Sequence, residues 1–111
     1  MIQLKQIQSI YRHFYVEQNG PEHLQFSICT NICRWLISNY FPEAVIMGYW
    51  HEDNPTAIIG EAEGGHDFIV IDNCIIDFWQ RLMCDTYFPL IIPMQEAHKY
   101  YGNPANWQKV N

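Results

Sequence analysis

Between Arg34 and Arg81 the chain has no lysine or arginine, although eight acids fall in that interval (Glu43, Glu52, Asp53, Glu61, Glu63, Asp67, Asp72 and Asp77). Phosphate-backbone binding needs clustered basic side chains, so this lack, with a formal net charge of −6, argues against a nucleic-acid partner and for a basic or neutral one. No run approaches the roughly 20 apolar residues that span a bilayer, so no membrane partner is expected. The opening residues, Met1-Ile2-Gln3-Leu4-Lys5-Gln6, lack the charged and apolar regions of a signal peptide. The expected location is therefore the cytoplasm, or the exterior after export as an effector without a cleaved signal. Internal repeats and low-complexity segments are absent too. What remains is a chain of 111 residues, 49% hydrophobic, expected to form one domain over 1–111 that buries roughly two-thirds of its unfolded surface.

Cysteine is present but not in a disulfide framework: without an export signal, Cys29, Cys33, Cys74 and Cys84 read as free thiols. Cys29 and Cys33 stand four apart on an expected helix, a poor geometry for bridging them. No cofactor is expected.

In chain order, Leu4, Ile7, Ile10, Tyr11, Phe14 and Tyr15 carry the three-and-four spacing of an amphipathic helix over residues 2–18, with His13 on its surface and Asn19-Gly20-Pro21 ending it. Ser27 is positioned to cap a second helix reaching Tyr40, where Phe41-Pro42 stops it. That helix has one stripe of Ile28, Ile32, Trp35 and Leu36 and another of Cys29, Cys33, Ile37 and Tyr40, so it should be central. Residues 44–50 read as a strand, with Gly48 permitting a close approach or a bulge, and 51–65 as a polar, acidic loop. Residues 80–87 read as a mixed connection, 88–93 as a proline-bracketed edge strand and 94–101 as a final helical turn or two, with Trp107 packing the tail. The expected fold is α+β, a central helix from the N-terminal half packed on a small antiparallel sheet.

The stretch Gly64 to Gln80 concentrates the chemistry. It reads as two strands closed on a two-residue turn at Asp72-Asn73, pairing Ile71 with Cys74, Phe68 with Asp77 and His66 with Trp79. In that register His66 and Asp77 lie on one face as diagonal neighbours, near enough to touch. Cys29 falls in the first turn of the second helix, where unpaired N–H groups and the positive end of the dipole favour a thiolate. A thiol, an imidazole and an acid in this order are the parts of a Cys-His-Asp site, in which the imidazole takes the thiol proton and the acid fixes the imidazole. The oxyanion would be met by the Cys29 N–H and by a second donor, for which Gln25 is the candidate.

With Cys29 on a helix, then Val45-Ile46-Met47-Gly48-Tyr49-Trp50, Gly65-His66-Asp67-Phe68-Ile69-Val70-Ile71 and Ile75-Ile76-Asp77-Phe78-Trp79-Gln80, the chain resembles the papain-like and transglutaminase-like cysteine enzymes. It is most similar to the small bacterial papain-fold toxin or effector domains, over about residues 25–107. The resemblance implies a papain-like core, with Cys29 as nucleophile, His66 as base and Asp77 as orienting acid. It also implies cleavage, deamidation or acyl transfer on a protein or peptide through a thioester, and a cognate inhibitor protein as a further partner. This chain differs from many relatives in having no Gly or Trp beside Cys29 and in following Asp77 with Phe78-Trp79.

Two other readings use the same residues. Cys29, Cys33, His66 and Cys74 are zinc-ligand types, though a C-x3-C pair within a helix is a poor start for a structural site. A non-catalytic acidic protein could instead grip a basic protein partner through its acidic loop and through Tyr49, Trp50 or Trp79 as exposed aromatics.

Overall fold

The computed structural model describes residues 2–18 and 28–110. The first helix, α1 (Leu4–Gln18), forms where the apolar spacing expects it, and it buries Ile7, Ile10 and Phe14. Leu4 and Tyr15 do not join them: each is more than half exposed, because each sits about a quarter turn round the helix from the buried face. The second helix, α2 (Cys29–Asn39), buries Ile32, Cys33 and Leu36, while Ile28 at its N-cap is exposed rather than part of the stripe. The capping role expected of Ser27 and the donor role expected of Gln25 lie outside the described residues. His13 is on the surface as expected, yet its Nδ1 is hydrogen-bonded to the Tyr40 hydroxyl, and Phe14 meets Trp35 at 5.4 Å between ring centroids. These contacts pin α1 to α2.

The sheet has five antiparallel strands: β1 (Val45–Trp50), β2 (Gly65–Ile71), β3 (Cys74–Ile76), β4 (Ile92–Pro93) and β5 (Gln108–Lys109), in the spatial order β4-β3-β2-β1-β5. Strand β1 pairs with β2 without a break from Val45↔Val70 to Trp50↔Gly65. Gly48 is therefore a close approach and not a bulge: a Cβ there would lie 2.1 Å from Oδ1 of Asp67 on the neighbouring strand. Asp72 and Asn73 both have positive φ, 50° and 61°, the mark of a two-residue type I′ turn whose twist matches the strands it joins. The register is the expected one, with Ile71↔Cys74, Val70↔Ile75 and Ile69↔Ile76.

Three expectations about this half of the chain are corrected. Strand β3 stops at Ile76, so Phe68–Asp77 and His66–Trp79 are not ladder pairs. Asp77 instead caps a short helix, α3 (Phe78–Met83), by accepting a hydrogen bond from the Gln80 N–H, where a strand and then a mixed connection were expected. The physical reason is in the sequence: Asp77 followed by Gln80 three residues later is the pattern of a capping box, and it wins over the apolar run. Of the expected strand at 88–93 only Ile92–Pro93 pairs, at the sheet edge beside β3, since neither Pro89 nor Pro93 can donate to a ladder. The tail, expected only to pack through Trp107, also adds β5 beside β1, with Trp107 edge-on to Phe68 at 4.9 Å.

A 3₁₀ turn at Met94–Glu96 leads into α4 (His98–Tyr101), within the segment expected to be helical. The sheet separates two apolar clusters. One joins α1, α2 and α3 through Phe14, Leu36, Ile46, Ile69 and Phe78, and the other joins Phe68, Ile75, Phe88, Ala97 and Tyr101. Residues 51–65, expected as a polar loop, are tied into the second cluster by Ala57 and Ile59 and into the backbone by the fully buried Asn54. Phe68 stands at the centre of that packing with no exposed surface. Phe68→Ala should cost about 3–5 kcal/mol of unfolding free energy, read from urea or guanidinium denaturation, and a loss under 1 kcal/mol would contradict this packing.

Candidate active site

Side chains alternate along a strand, so His66, Phe68 and Val70 of β2 share a face, and the ladder sets Ile75 opposite Val70 on that same face. Asp77, two residues beyond Ile75, continues on it. The two side chains meet: Nε2 of His66 lies 2.6 Å from Oδ2 of Asp77, with both residues almost wholly buried, at 3% and 4% exposure. The pair expected from the register is therefore formed, although Asp77 reaches it from a helix cap. The change of element is useful chemically, because the cap fixes the carboxylate. Oδ1 accepts from the Gln80 N–H at 3.1 Å, and Oδ2 accepts from His66 and from the Tyr101 hydroxyl at 2.8 Å.

Cys29 is the first residue of α2, and its thiol lies near enough to the His66 ring to help push the imidazole up. Asp77 occupies Nε2, which leaves Nδ1 as the ring nitrogen that the acid does not hold. Trp79, with its ring 5.0 Å from the imidazole, and Tyr101, stacked at 6.4 Å, hold the ring in its plane. Cys29 and His66 open onto a cleft of about 520 Å³, lined also by Gly48, Trp50, Gly65, Asp67 and Glu63 and closed on one side by β5. The backbone N–H of Cys29 belongs to the first turn of α2, and the N-cap residue Ile28 supplies no side-chain bond there. Such first-turn groups lack partners inside the helix and can serve as donors to an anion.

Burial alone would discharge His66, but the Asp77 carboxylate, through its charge and its hydrogen bond, together with the Cys29 thiol, outweighs it and pushes the imidazole up to about 10. Burial pushes the Cys33 thiol well up, and the charges of Asp77, Cys29 and Asp67 add to it, in keeping with a core thiol. Cys74 is raised by burial and by Asp72, and Cys84 by partial burial and by Glu63, Asp77 and Asp85. All four cysteines are free, as expected.

Among the described residues no three His, Cys, Asp or Glu side chains are grouped to hold a metal ion, so Cys29, Cys33, His66 and Cys74 do not converge as zinc ligands. No helix among them is long and apolar enough to cross a membrane. The exposed aromatics expected of a binding protein need correction as well. Tyr49 and Trp79 are buried, Tyr49 donating its hydroxyl to the Ile59 carbonyl at 2.5 Å, and Trp50 alone of the three is exposed. Comparison with models of protein families, with curated proteins and with solved structures finds no match to this chain.

Reasoning from sequence missed Tyr101 and Asn54. Tyr101 is 24 residues from Asp77, and no local pattern announces the contact. The Asp77-x-x-Gln80 spacing, by contrast, was a usable sign that Asp77 caps a helix.

The His66–Asp77 pair makes stability depend on pH. A histidine whose folded pKa is raised above its usual 6.5 contributes stability that is complete below 6.5 and is lost as pH rises through about 10. Wild-type protein should thus lose unfolding free energy steadily between pH 6.5 and 10, and His66→Gln should flatten that slope. Parallel denaturation curves for the two proteins across this window would contradict the coupling.

Proposed function

We propose that the protein is a papain-like, cysteine-dependent hydrolase or acyltransferase of the peptidase or glutamine-deamidase type, acting on a protein or peptide through Cys29, His66 and Asp77. One observation carries the reading: a thiol at the start of an 11-residue helix and an imidazole held at Nε2 by a buried carboxylate line one cleft. A buried His–Asp pair could exist for stability alone. A third, nucleophilic group on the free side of the ring at a cleft mouth is what favours chemistry.

In this mechanism the proton shared by Cys29 and His66 stands on Nδ1 of His66, in keeping with the raised imidazole, and the thiolate attacks the substrate carbonyl carbon. The oxyanion so formed is met by the Cys29 N–H. Collapse of the tetrahedral species breaks the carbon–nitrogen bond, and the leaving amine or ammonia takes the proton from His66. A thioester remains on Cys29. Water then gives a proton to the neutral imidazole and adds to the thioester; expulsion of the thiolate, which recovers that proton, releases the acid and restores the thiol. An amine in place of water gives transfer. Asp77 keeps Nε2 protonated throughout, so that Nδ1 is the nitrogen that exchanges the proton.

Iodoacetamide near pH 7 should label Cys29 at least tenfold faster than Cys33, Cys74 or Cys84, by peptide mass mapping, because each of the other three thiols is held up by burial or nearby acids. His66→Ala should remove that preference. Equal labelling of all four would overturn the enzyme. The competing role of an acidic binding protein predicts that Cys29→Ala and His66→Ala leave cellular activity intact, while charge reversal at the exposed Glu61 and Glu63 abolishes it.

A further inference from the structure

We propose that Tyr101 is a positioning residue of this site, and that by sharing one carboxylate oxygen of Asp77 with His66 its hydroxyl sets how strongly the acid holds the imidazole proton. The inference rests on the Cys29–His66–Asp77 reading and adds to it the group behind the acid. Tyr101 has no exposed surface, so it cannot touch substrate. Its hydroxyl donates to Oδ2 of Asp77 at 2.8 Å, the same oxygen that Nε2 of His66 reaches at 2.6 Å. A carboxylate oxygen with two donors spreads its charge over both, so each donor is held less tightly than it would be alone. A general acid has to release its proton to the leaving group, and an acid that gripped His66 too hard would oppose that step.

The tyrosine is itself fixed in place. Its carbonyl accepts from Nδ2 of Asn54 at 2.8 Å and from Nε1 of Trp107 at 2.9 Å, while Oδ1 of the fully buried Asn54 accepts from the Asn103 N–H at 3.0 Å. The chain closes round Asn54 only because residue 102 is glycine: its φ is +68°, and a Cβ there would lie 2.4 Å from Oδ1 of Asn54. Burial and the Asp77 charge hold the Tyr101 hydroxyl well above its ordinary range, so it stays protonated and can only be the donor. The titratable groups near His66 are Cys29 from α2, Tyr49 opposite it on β1, Asp67 beside it on β2, Glu63 on the cleft, Asp77 and Tyr101. Of these, Tyr101 alone donates a hydroxyl hydrogen bond to the acid that holds the ring.

The test follows the His66 ring by NMR from pH 5 to 11 in the Cys29→Ala protein, which has no nucleophile. Adding Tyr101→Phe should leave Oδ2 to His66 alone, moving the imidazole titration to higher pH by about half a unit to one unit and shifting the Nε2 proton downfield. Site-specific 3-fluorotyrosine at 101, a stronger donor of nearly the same shape, should move the titration to lower pH, and it serves if the phenylalanine variant does not fold. An unchanged titration, or a movement opposite to these, overturns the role of Tyr101. Iodoacetamide selectivity in the protein that retains Cys29 decides the enzyme separately. Fast labelling of Cys29 with an unshifted His66 titration removes Tyr101 from the site and keeps the triad. A shifted titration without selective labelling keeps the coupling and removes the catalyst.

Discussion

A single carboxylate, that of Asp77, ties the parts of this molecule to one another. It caps α3 through the Gln80 N–H, anchors β2 through His66 and fastens the C-terminal third of the chain through Tyr101. An ionised group at 4% exposure is costly unless donors replace the water it has lost, and three donors from three segments do so here. The arrangement constrains the fold as much as the chemistry, since none of the three segments can shift without leaving a buried charge short of a partner.

The neighbouring architecture follows from the same need to hold polar groups in an apolar setting. His66 is kept in plane by Trp79 and Tyr101, and Phe68 beneath it is packed by Tyr101 and Trp107. Among the described residues no buried side-chain nitrogen or oxygen lacks a hydrogen-bond partner. Helix α2 lies against β2, and Cys29 at its start lines the same cleft as His66, whose Nε2 is held by Asp77. A carboxylate on Nε2 fixes which tautomer a neutral imidazole adopts.

Four chemically identical thiols are separated by their surroundings. Cys33, only one turn of α2 beyond Cys29, lies in the apolar cluster with its thiol form favoured by burial, whereas Cys29 has an imidazole beside it and a cleft in front. Cys84 is exposed, yet partial burial of its thiol and the acids around it favour its neutral form.

Much of this was legible in the sequence because it depends on local rules. The three-and-four spacing of Ile7, Ile10 and Phe14 announces α1, and the pair Asp72-Asn73 announces a tight turn. Counting outward from that turn is enough to bring His66 and Asp77 to one face, because the alternation of a strand is fixed by its backbone. The same sequence also carried the sign that was misread, Asp77-x-x-Gln80, in which a side-chain cap on the backbone outweighs the strand preference of Phe78 and Trp79. What no local rule could supply is the meeting of Asp77 with Tyr101 and of Asn54 with Tyr101 and Asn103, contacts across 24, 47 and 49 residues. The sequence alone determined which groups the hairpin would bring to one face, since that depends on backbone geometry over a few residues. Only the tertiary structure decided which groups stand behind them, since that depends on how remote segments pack to satisfy one buried charge.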